Sequence, residues 1–555
     1  MNKFRFIWFF LNIGFLLSAL MLLGGRPAFA GSSLTCDPTS LQTVATKQGR
    51  LLGKAVEIFA ASPSSLGSLP YCQITAIIVT DSKLNDKIFV AIDLPDLLFW
   101  NSRFLFTGNG GFAGRATPDT IHLQEGYAVA ATDTGHEGAD GTVATWALNN
   151  PPAIKDFQYL ALHESTQLAE AMTTAYYDTK RNSYFTYFDS CSTGGRQALV
   201  EAQKFPDDYQ GIVAGAPAAG QFYLAYNWNS QATLVSSDAY LNVDQINLLS
   251  AAVLSECDGL DGVVDGLIQD PTACNFNPST LLCAPGQTAG CLTQGQINTV
   301  NAIWQGVVDT KGKQVYPGFT ESDPASSASL DIAWQQYLAA CPHSNNCALP
   351  DFTAAEPWPA PTFVPPPVWW DRQDSFMKYF VYSDASYNSR AFSFSDQASI
   401  NKVSKETSKW GADAMKANLK PFVHKGHKLL MYHGWSDPSF SPLVSVNYYN
   451  SVQAILGPTG RDSVRLFMAP GMHHCQGKGP GPNTFDELTP VTTWVEQDVA
   501  PDGIIASHNT ADDPAQPVDR TMPLCAYPER AVYDGVDPVN DSSSWSCQSV
   551  GASRN

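Results

Sequence analysis

The sequence predicts an α/β fold: a mostly parallel sheet with helices on both faces, interrupted by a long insertion between core strands. Three observations predict it. The first is residues 184–199, Tyr-Phe-Thr-Tyr-Phe-Asp-Ser-Cys-Ser-Thr-Gly-Gly-Arg-Gln-Ala-Leu. An alternating aromatic strand runs into a tight turn of small residues and then a helix from Arg196 to Phe205. That is the shape of a nucleophile elbow, which lifts one serine above a parallel sheet and aims a helix N-terminus at it. The second is an alternation of strand and helix patterns before about residue 220, resumed after about residue 414. Such alternation indicates a parallel sheet covered on both faces. The third is the texture between those points, where Pro, Ser, Asn, Trp and short Cys loops replace the strand–helix rhythm.

At the N-terminus, Lys3 and Arg5 precede an apolar run over residues 6–23, and Ala28-Phe29-Ala30 fits a small-x-small cleavage site before Gly31. Residues 1–30 read as a signal peptide, and the mature chain as exported, secreted or periplasmic. The apolar run is nearly long enough to span a bilayer, so an uncleaved anchor is the alternative. Residues 31–219 then form the first part of the core, 220–414 an inserted lid domain, and 415–555 the second part of the core. The 555-residue chain is 44% hydrophobic, enough for a large core in about two domains. Its net charge of −19, with no basic block, argues against nucleic acid or an anionic membrane as partner.

The 12 cysteines agree with export, since oxidising compartments favour pairing. Many connectivities are formally possible, but the spacing suggests local pairs: Cys257 with Cys274, Cys283 with Cys291, Cys341 with Cys347, and Cys525 with Cys547. Cys36 with Cys72 would staple the mature N-terminus, which leaves Cys191 and Cys475 far apart in sequence. No C-x-x-C occurs, so zinc and redox readings are weak.

In chain order, residues 87–94 and 103–106 are strand-like, and the second run ends in the glycine-rich turn of residues 107–114. Gly110 and Gly111 in that turn are candidates for the second oxyanion N–H, because no Cβ blocks their backbone; otherwise the turn is an ordinary glycine loop. Residues 127–132 form another strand, 153–177 carry helical spacing without Gly or Pro, and 211–216 follow the elbow helix as a strand. After the insertion come a strand at 427–432, a helix at 443–456, a strand at 464–468 and a helix at 485–499.

Ser192 would be the raised residue of the elbow, with the Thr193 N–H facing the oxyanion, although Ser190 stands where G-x-S-x-G has its first Gly. The two strands after the insertion end in polar turns containing Asp437 and His473-His474-Cys475. In an α/β-hydrolase the triad order is Ser, acid, His, on loops at the C-terminal edge of the sheet. Ser192, Asp437 and a histidine at 473 or 474 satisfy order and position. Cys191 precedes the serine and Cys475 follows His474, so a bridge between them would draw the two turns together and select His474. The same bridge could equally be a plain structural staple. Phe440, three residues past Asp437, is a candidate for the substrate pocket. Trp358, Trp369, Trp370, Phe376 and Tyr379 in the lid suit a flat acyl group or simply a lid core.

Cys-Ser-Thr-Gly-Gly-Arg at 191–196, His-Gly-x-Ser-Asp at 433–437 and Gly-Met-x-His-Cys at 471–475 resemble the tannase and feruloyl esterase family, over essentially the whole mature chain. The resemblance implies a secreted serine ester hydrolase acting on esters of aromatic acids, with a Ser-Asp-His triad and a disulfide joining triad neighbours. Feruloyl and galloyl esters lead; terephthalate monoesters, hydrolysed by members of the same family, are the runner-up. An exported binding protein on an inactive hydrolase scaffold is the reading from another class. Residues 256–267 gather carboxylates along a glycine-bent loop, as hard Ca²⁺ requires, though without the EF-hand spacing. The loop is similar to the family's lid calcium site. Carried over, Asp258, Asp261 and Asp265 would bind structural Ca²⁺ by side chain, and Val263 and Leu267 by carbonyl.

Overall fold

The computed structural model describes residues 34–138, 141–322, 334–339, 349–357 and 366–549. The expected signal peptide, the Cys341–Cys347 pair and Trp358 lie outside the described residues.

Nine strands form the central sheet: β1 (Ala55–Leu66), β2 (Leu69–Asp81), β3 (Asp86–Pro95), β4 (Arg103–Thr107), β5 (Ala128–Thr132), β6 (Phe185–Cys191), β7 (Gly211–Gly215), β8 (Lys428–Gly434) and β9 (Val464–Ala469). Their order is β1-β2-β3-β5-β4-β6-β7-β8-β9. The run β5-β4-β6-β7-β8-β9 is parallel throughout, and β1, β2 and β3 form an antiparallel edge joined to β5. Two-sided burial is visible along single strands. In β4, Phe104 and Phe106 enter one core layer and Leu105 the other, and in β8 Leu429 and Met431 oppose Leu430 and Tyr432. Helices Ala161–Tyr176, Thr193–Lys204 and Pro442–Leu456 cover the first face, and Leu488–Gln497 the second.

Two elements depart from the sequence pattern. The β1–β2 hairpin escapes it because β1 alternates for only four residues before an Ala-, Ser- and Pro-rich stretch that is mostly exposed. The helical spacing over 153–177 also conceals a break. Pro151–Lys155 and Ala161–Tyr176 are separated by a π turn at Asp156–Leu160, whose carbonyls at Phe157 and Gln158 accept from the buried Arg196 guanidinium (3.3 and 2.9 Å). The elbow helix thereby ties the interrupted helix to itself.

β7 and β8 are adjacent and parallel although the residues between them include helices Phe222–Leu234, Val243–Cys257, Gln294–Gln305, Val368–Ser375 and Gln397–Thr407. That excursion closes on itself where the Gly220 N–H donates to the Asp413 carbonyl (2.8 Å). Among the described residues there are five disulfides: Cys36–Cys72, Cys191–Cys475, Cys257–Cys274, Cys283–Cys291 and Cys525–Cys547.

Candidate active site

Ser192 sits between β6 and the elbow helix Thr193–Lys204 with φ 67° and ψ −124°, a conformation that non-glycine residues rarely adopt. The surrounding backbone holds it there. Its N–H donates to the Gly215 carbonyl (2.9 Å), and its carbonyl accepts from Arg196 and Ala218 (both 3.0 Å). Glycine is required on the far side of the turn. A Cβ at Gly194 would lie 1.9 Å from Ser190 Oγ, and one at Gly195 2.2 Å from the Gly215 carbonyl oxygen. Ser190 is tolerated in the place of the usual glycine because residue 194 has no side chain.

The acid and histidine turns meet through another glycine. A Cβ at Gly434, the last residue of β8, would lie 2.1 Å from the Met472 carbonyl oxygen and 2.6 Å from that of His473. Ser436 N donates to Met472 (3.1 Å) and Trp435 N to Ala469 (2.8 Å), so the turn after β8 is laced to β9 and its loop. The result brings the three side chains together: His474 Nε2 is 2.9 Å from Ser192 Oγ, and His474 Nδ1 is 2.8 Å from Asp437 Oδ2. The Cys191–Cys475 bridge clamps the same pair of turns with Cα atoms 6.0 Å apart, and Cys475 takes φ 63°.

Asp437 is fully enclosed. Oδ1 accepts the N–H groups of Ser439 (2.6 Å) and Phe440 (3.1 Å), and Oδ2 is shared by His474 and His433 Nε2 (3.0 Å). Burial alone would raise its carboxyl, but the electrostatic interaction with His474 and the two imidazole hydrogen bonds outweigh burial and hold it well below the usual carboxylate range. His473 differs at every point. It is 1% exposed, neither ring nitrogen has a hydrogen-bond partner, and burial pushes it down to about 4 against the opposing pull of Asp512 and Asp437.

The glycine-rich turn lies beside the elbow. Thr193 Oγ1 donates to the Gly111 carbonyl (3.0 Å), and Asn109 N donates to Gln197 Oε1 of the elbow helix (3.2 Å). Gly111 has φ +54°, and its missing Cβ would strike the Gly141 carbonyl oxygen at 2.3 Å, whereas a Cβ at Gly110 would meet nothing. Thr193 opens the helix, so its N–H has no intrahelical acceptor. Phe440 is 2% exposed, with its ring edge-on to His474 (centroids 5.1 Å) and against Phe222 (4.9 Å). Beyond it runs an aromatic stack: Phe112 of the glycine turn on Tyr223 (5.9 Å), and Tyr223 on Phe376 (3.7 Å). Of the other aromatics in the excursion between β7 and β8, Trp369 bonds the Pro438 carbonyl through Nε1 (3.0 Å) and Tyr379 packs at the edge of the main core, while Trp370 belongs to a separate cluster with Leu234 and Tyr240.

The acidic loop is bent at Gly262 (φ 94°) and Gly266 (φ 83°). Asp258 accepts from the N–H groups of Asp265 (3.1 Å) and Gly266 (3.0 Å), Asp261 from Val263 (3.0 Å), and Asp265 from Leu267 (3.2 Å) and Arg520 Nη1 (3.1 Å). Burial, with the neighbouring Asp265 and Asp258 charges, pushes Asp261 up to about 6. The three carboxylates are hard oxygen donors of the kind calcium takes, spread along one loop, and Arg520 offsets one charge. Leu267 packs against the histidine loop, where a Cβ at Gly471 would lie 2.7 Å from its Cδ2. A different group, His163, Glu201 and Asp208, has its ligand atoms within 4.8 Å of one another. Sequence spacing did not suggest that group, because helix Ala161–Tyr176 and the end of the elbow helix bring its members together. His163 already bonds Asp208 through Nδ1 (2.6 Å) and Gln167 through Nε2 (3.0 Å).

Sequence reasoning passed over His433, although it stands in the quoted His-Gly-x-Ser-Asp motif, and Arg372, which has no local signal. Arg372 lies among Tyr223, Tyr226 and Tyr337, and its Nε is buried without a hydrogen-bond partner.

Comparison with known proteins places this arrangement. The sequence profile of the family described as tannase and feruloyl esterase matches residues 72–548. The chain is 31% identical to a probable feruloyl esterase B-1 of Aspergillus fumigatus over 87% of each chain. It is 30% identical to an uncharacterized esterase of Xanthomonas campestris, over 96% of this chain and 94% of that one. The crystal structure of feruloyl esterase B from Aspergillus oryzae superimposes with TM-score 0.71 at 27% identity, covering 87% of this chain and 90% of the other. The chain therefore belongs to the tannase and feruloyl esterase family and is a carboxylic ester hydrolase of that type.

Proposed function

We propose that the chain is a secreted serine esterase that cleaves esters of hydroxylated aromatic acids, of the feruloyl or galloyl type, through an acyl-enzyme. The observation that carries this reading is the hydrogen-bonded chain Ser192–His474–Asp437 at the ends of three parallel strands. His474 Nε2 takes the Ser192 proton as Oγ attacks the ester carbonyl, and Asp437 holds the imidazole in the right tautomer and stabilises the imidazolium. The N–H of Thr193, with Gly110 or Gly111, receives the developing oxyanion. His474 then returns the proton to the leaving alcohol, and a water molecule repeats the sequence to release the acid. Phe440 and the Phe112–Tyr223–Phe376 stack offer a flat apolar wall for an aromatic acyl group.

Residues 220–414 are the lid of this esterase, supported by the Gly220–Asp413 closure and by the aromatic residues the segment brings over the triad. Asp258, Asp261 and Asp265, with the Val263 and Leu267 carbonyls, would hold a structural Ca²⁺ whose charge neutralises the loop behind the histidine turn. Export is supported by the disulfides; among the described residues no helix is long and apolar enough to cross a membrane. Two tests decide the reading. A fluorophosphonate should label Ser192, and purified enzyme should hydrolyse methyl ferulate or methyl gallate faster than an aliphatic methyl ester; no labelling would leave the scaffold reading standing. Calcium should be found by elemental analysis and its chelation should lower the melting temperature; neither effect would remove the ion.

A second reading, a terephthalate monoesterase, is favoured by Arg372. Its guanidinium lies one layer from the triad: Tyr226 packs on Phe440 (6.1 Å), and Tyr337 accepts a hydrogen bond from Ser439. Among the described residues no carboxylate pairs with it. An acyl group bearing a second carboxylate would supply one.

A further inference from the structure

We propose that His433 is a positioning residue for ester hydrolysis: it bonds the same Asp437 oxygen as His474, so that Oδ2 faces the catalytic imidazole in one orientation. This rests on the Ser192–His474–Asp437 reading above. His433 is completely buried at the end of β8, and its two ring nitrogens are both engaged. Nε2 lies 3.0 Å from Asp437 Oδ2, and Nδ1 lies 2.8 Å from the buried hydroxyl of Ser445 in helix Pro442–Leu456.

The chemistry of the partners fixes the protons. An ionised carboxylate only accepts, so Nε2 of His433 must carry a hydrogen. Nδ1 lies against the Ser445 hydroxyl, which can donate or accept and so holds the ring in place from helix Pro442–Leu456. Asp437 thus fixes the hydrogen on Nε2 of His433 as it fixes the one on Nδ1 of His474. The remaining titratable groups around Asp437 are Tyr226 from helix Phe222–Leu234, Tyr316 from the strand Gln314–Pro317, Tyr337 from helix Trp334–Leu338, and His473. Burial raises all three tyrosines above their usual range and lowers His473, so each stays uncharged near neutral pH.

Four donors therefore saturate Asp437: two backbone N–H groups on Oδ1 and two imidazoles on Oδ2. Removing His433 frees one side of Oδ2, lets the carboxylate rotate away from His474, and leaves more of its charge unshared. A displacement of about 1 Å at such a centre can cost about a hundredfold in rate.

The test is a series of steady-state profiles on full-length enzyme, each measured well below the melting temperature of the variant. His433→Phe keeps the volume and removes both nitrogens. It should lower kcat about tenfold to a hundredfold with KM nearly unchanged, and should move the acidic limb of the kcat/KM profile to higher pH. His433→Gln, which keeps an N–H donor near Nε2, should recover most of kcat and return the limb towards the wild-type position. Ser445→Ala should reproduce the same changes at smaller amplitude, about threefold in kcat, and decides the matter if His433→Phe does not fold. A purely structural role predicts lower melting temperatures with kcat and the limb unmoved in every folded variant, and that result overturns the proposal. Ser192→Ala and His474→Ala run alongside. If both keep their activity the triad reading itself is wrong, whereas if both lose it and the His433 and Ser445 variants stay wild-type, only the role of His433 is wrong.

Discussion

The loops at the ends of the parallel strands and the excursion between β7 and β8 contribute to the same site by different means. Ser192, Asp437 and His474 each sit on a turn fixed by backbone hydrogen bonds, by glycines whose Cβ would collide with a neighbouring chain, and by the Cys191–Cys475 bridge. Phe376, Arg372 and Trp369 instead project from one stretch of helix and reach the site through ring stacking and side-chain hydrogen bonds. Backbone constraints at the strand ends admit almost no alternative geometry. Side-chain packing in the insertion admits volume-conserving change at modest cost. The contrast teaches that the positions of Ser192, Asp437 and His474 are over-determined by the sheet, while the packing around them in the insertion is open to substitution.

The largest way to break that contrast is at Ser192 and His474, the proposed nucleophile and base. Ser192→Ala or His474→Ala should reduce kcat/KM on the order of 10⁴-fold or more, read on the best aromatic ester. His473→Ala should be far milder, and a reversal between the two histidines would reassign the base.

Next comes the bridge. As a staple alone, its removal would cost about 2–5 kcal/mol of stability and leave the folded enzyme active. Because one sulfur is one residue from Ser192 and the other one residue from His474, Cys191→Ala with Cys475→Ala should, on the proposed mechanism, also lose about a hundredfold in turnover. Turnover below the melting point of the folded double variant, checked by circular dichroism, separates the two effects.

The insertion should respond more selectively. Arg372→Met should raise KM for a terephthalate monoester about tenfold to a hundredfold, the worth of a hydrogen bond to a charged group, and leave methyl ferulate nearly unaffected. Equal effects on both substrates would make Arg372 a packing residue.

The smallest effect is on acid stability. His473 is held neutral, because burial lowers its pKa in the folded chain to about 4 from the ordinary histidine value of 6.5. The unfolded chain therefore binds a proton first as pH falls, so stability is fully present above about 6.5 and is lost between there and about 4. At pH 5 the loss is about 2 kcal/mol. His473→Phe should narrow the difference in denaturant stability between pH 7 and pH 5 by that amount.

Much of this architecture is legible in the sequence, for reasons that can be named. The parallel core shows because each strand is a short apolar run ended by a polar turn, and the elbow shows because its glycines follow an aromatic strand directly. The adjacency of Cys475 to His474 distinguishes two neighbouring histidines that composition cannot. What stays hidden depends on distant partners. The π turn at Asp156–Leu160 is stabilised by Arg196 from another helix, so its own residues retain ordinary helical spacing. β1 turns largely to solvent and loses the period that would reveal it. His433 looks like one more polar residue at a strand end until Asp437 and Ser445 are seen on either side of it. Arg372 carries no local sign that it is set among Tyr223, Tyr226 and Tyr337.

The Cys191–Cys475 bridge has a consequence for the integrity of the chain. It joins residues 284 positions apart, and every residue of the excursion between β7 and β8 lies inside that covalent ring. A protease that cuts anywhere between Ser192 and His474 divides the backbone but not the molecule. The serine turn and the histidine turn remain tethered one residue from Ser192 and one residue from His474. Under non-reducing conditions a nicked enzyme runs as a single species and can still carry its serine and histidine side by side; only a reductant separates it into two pieces.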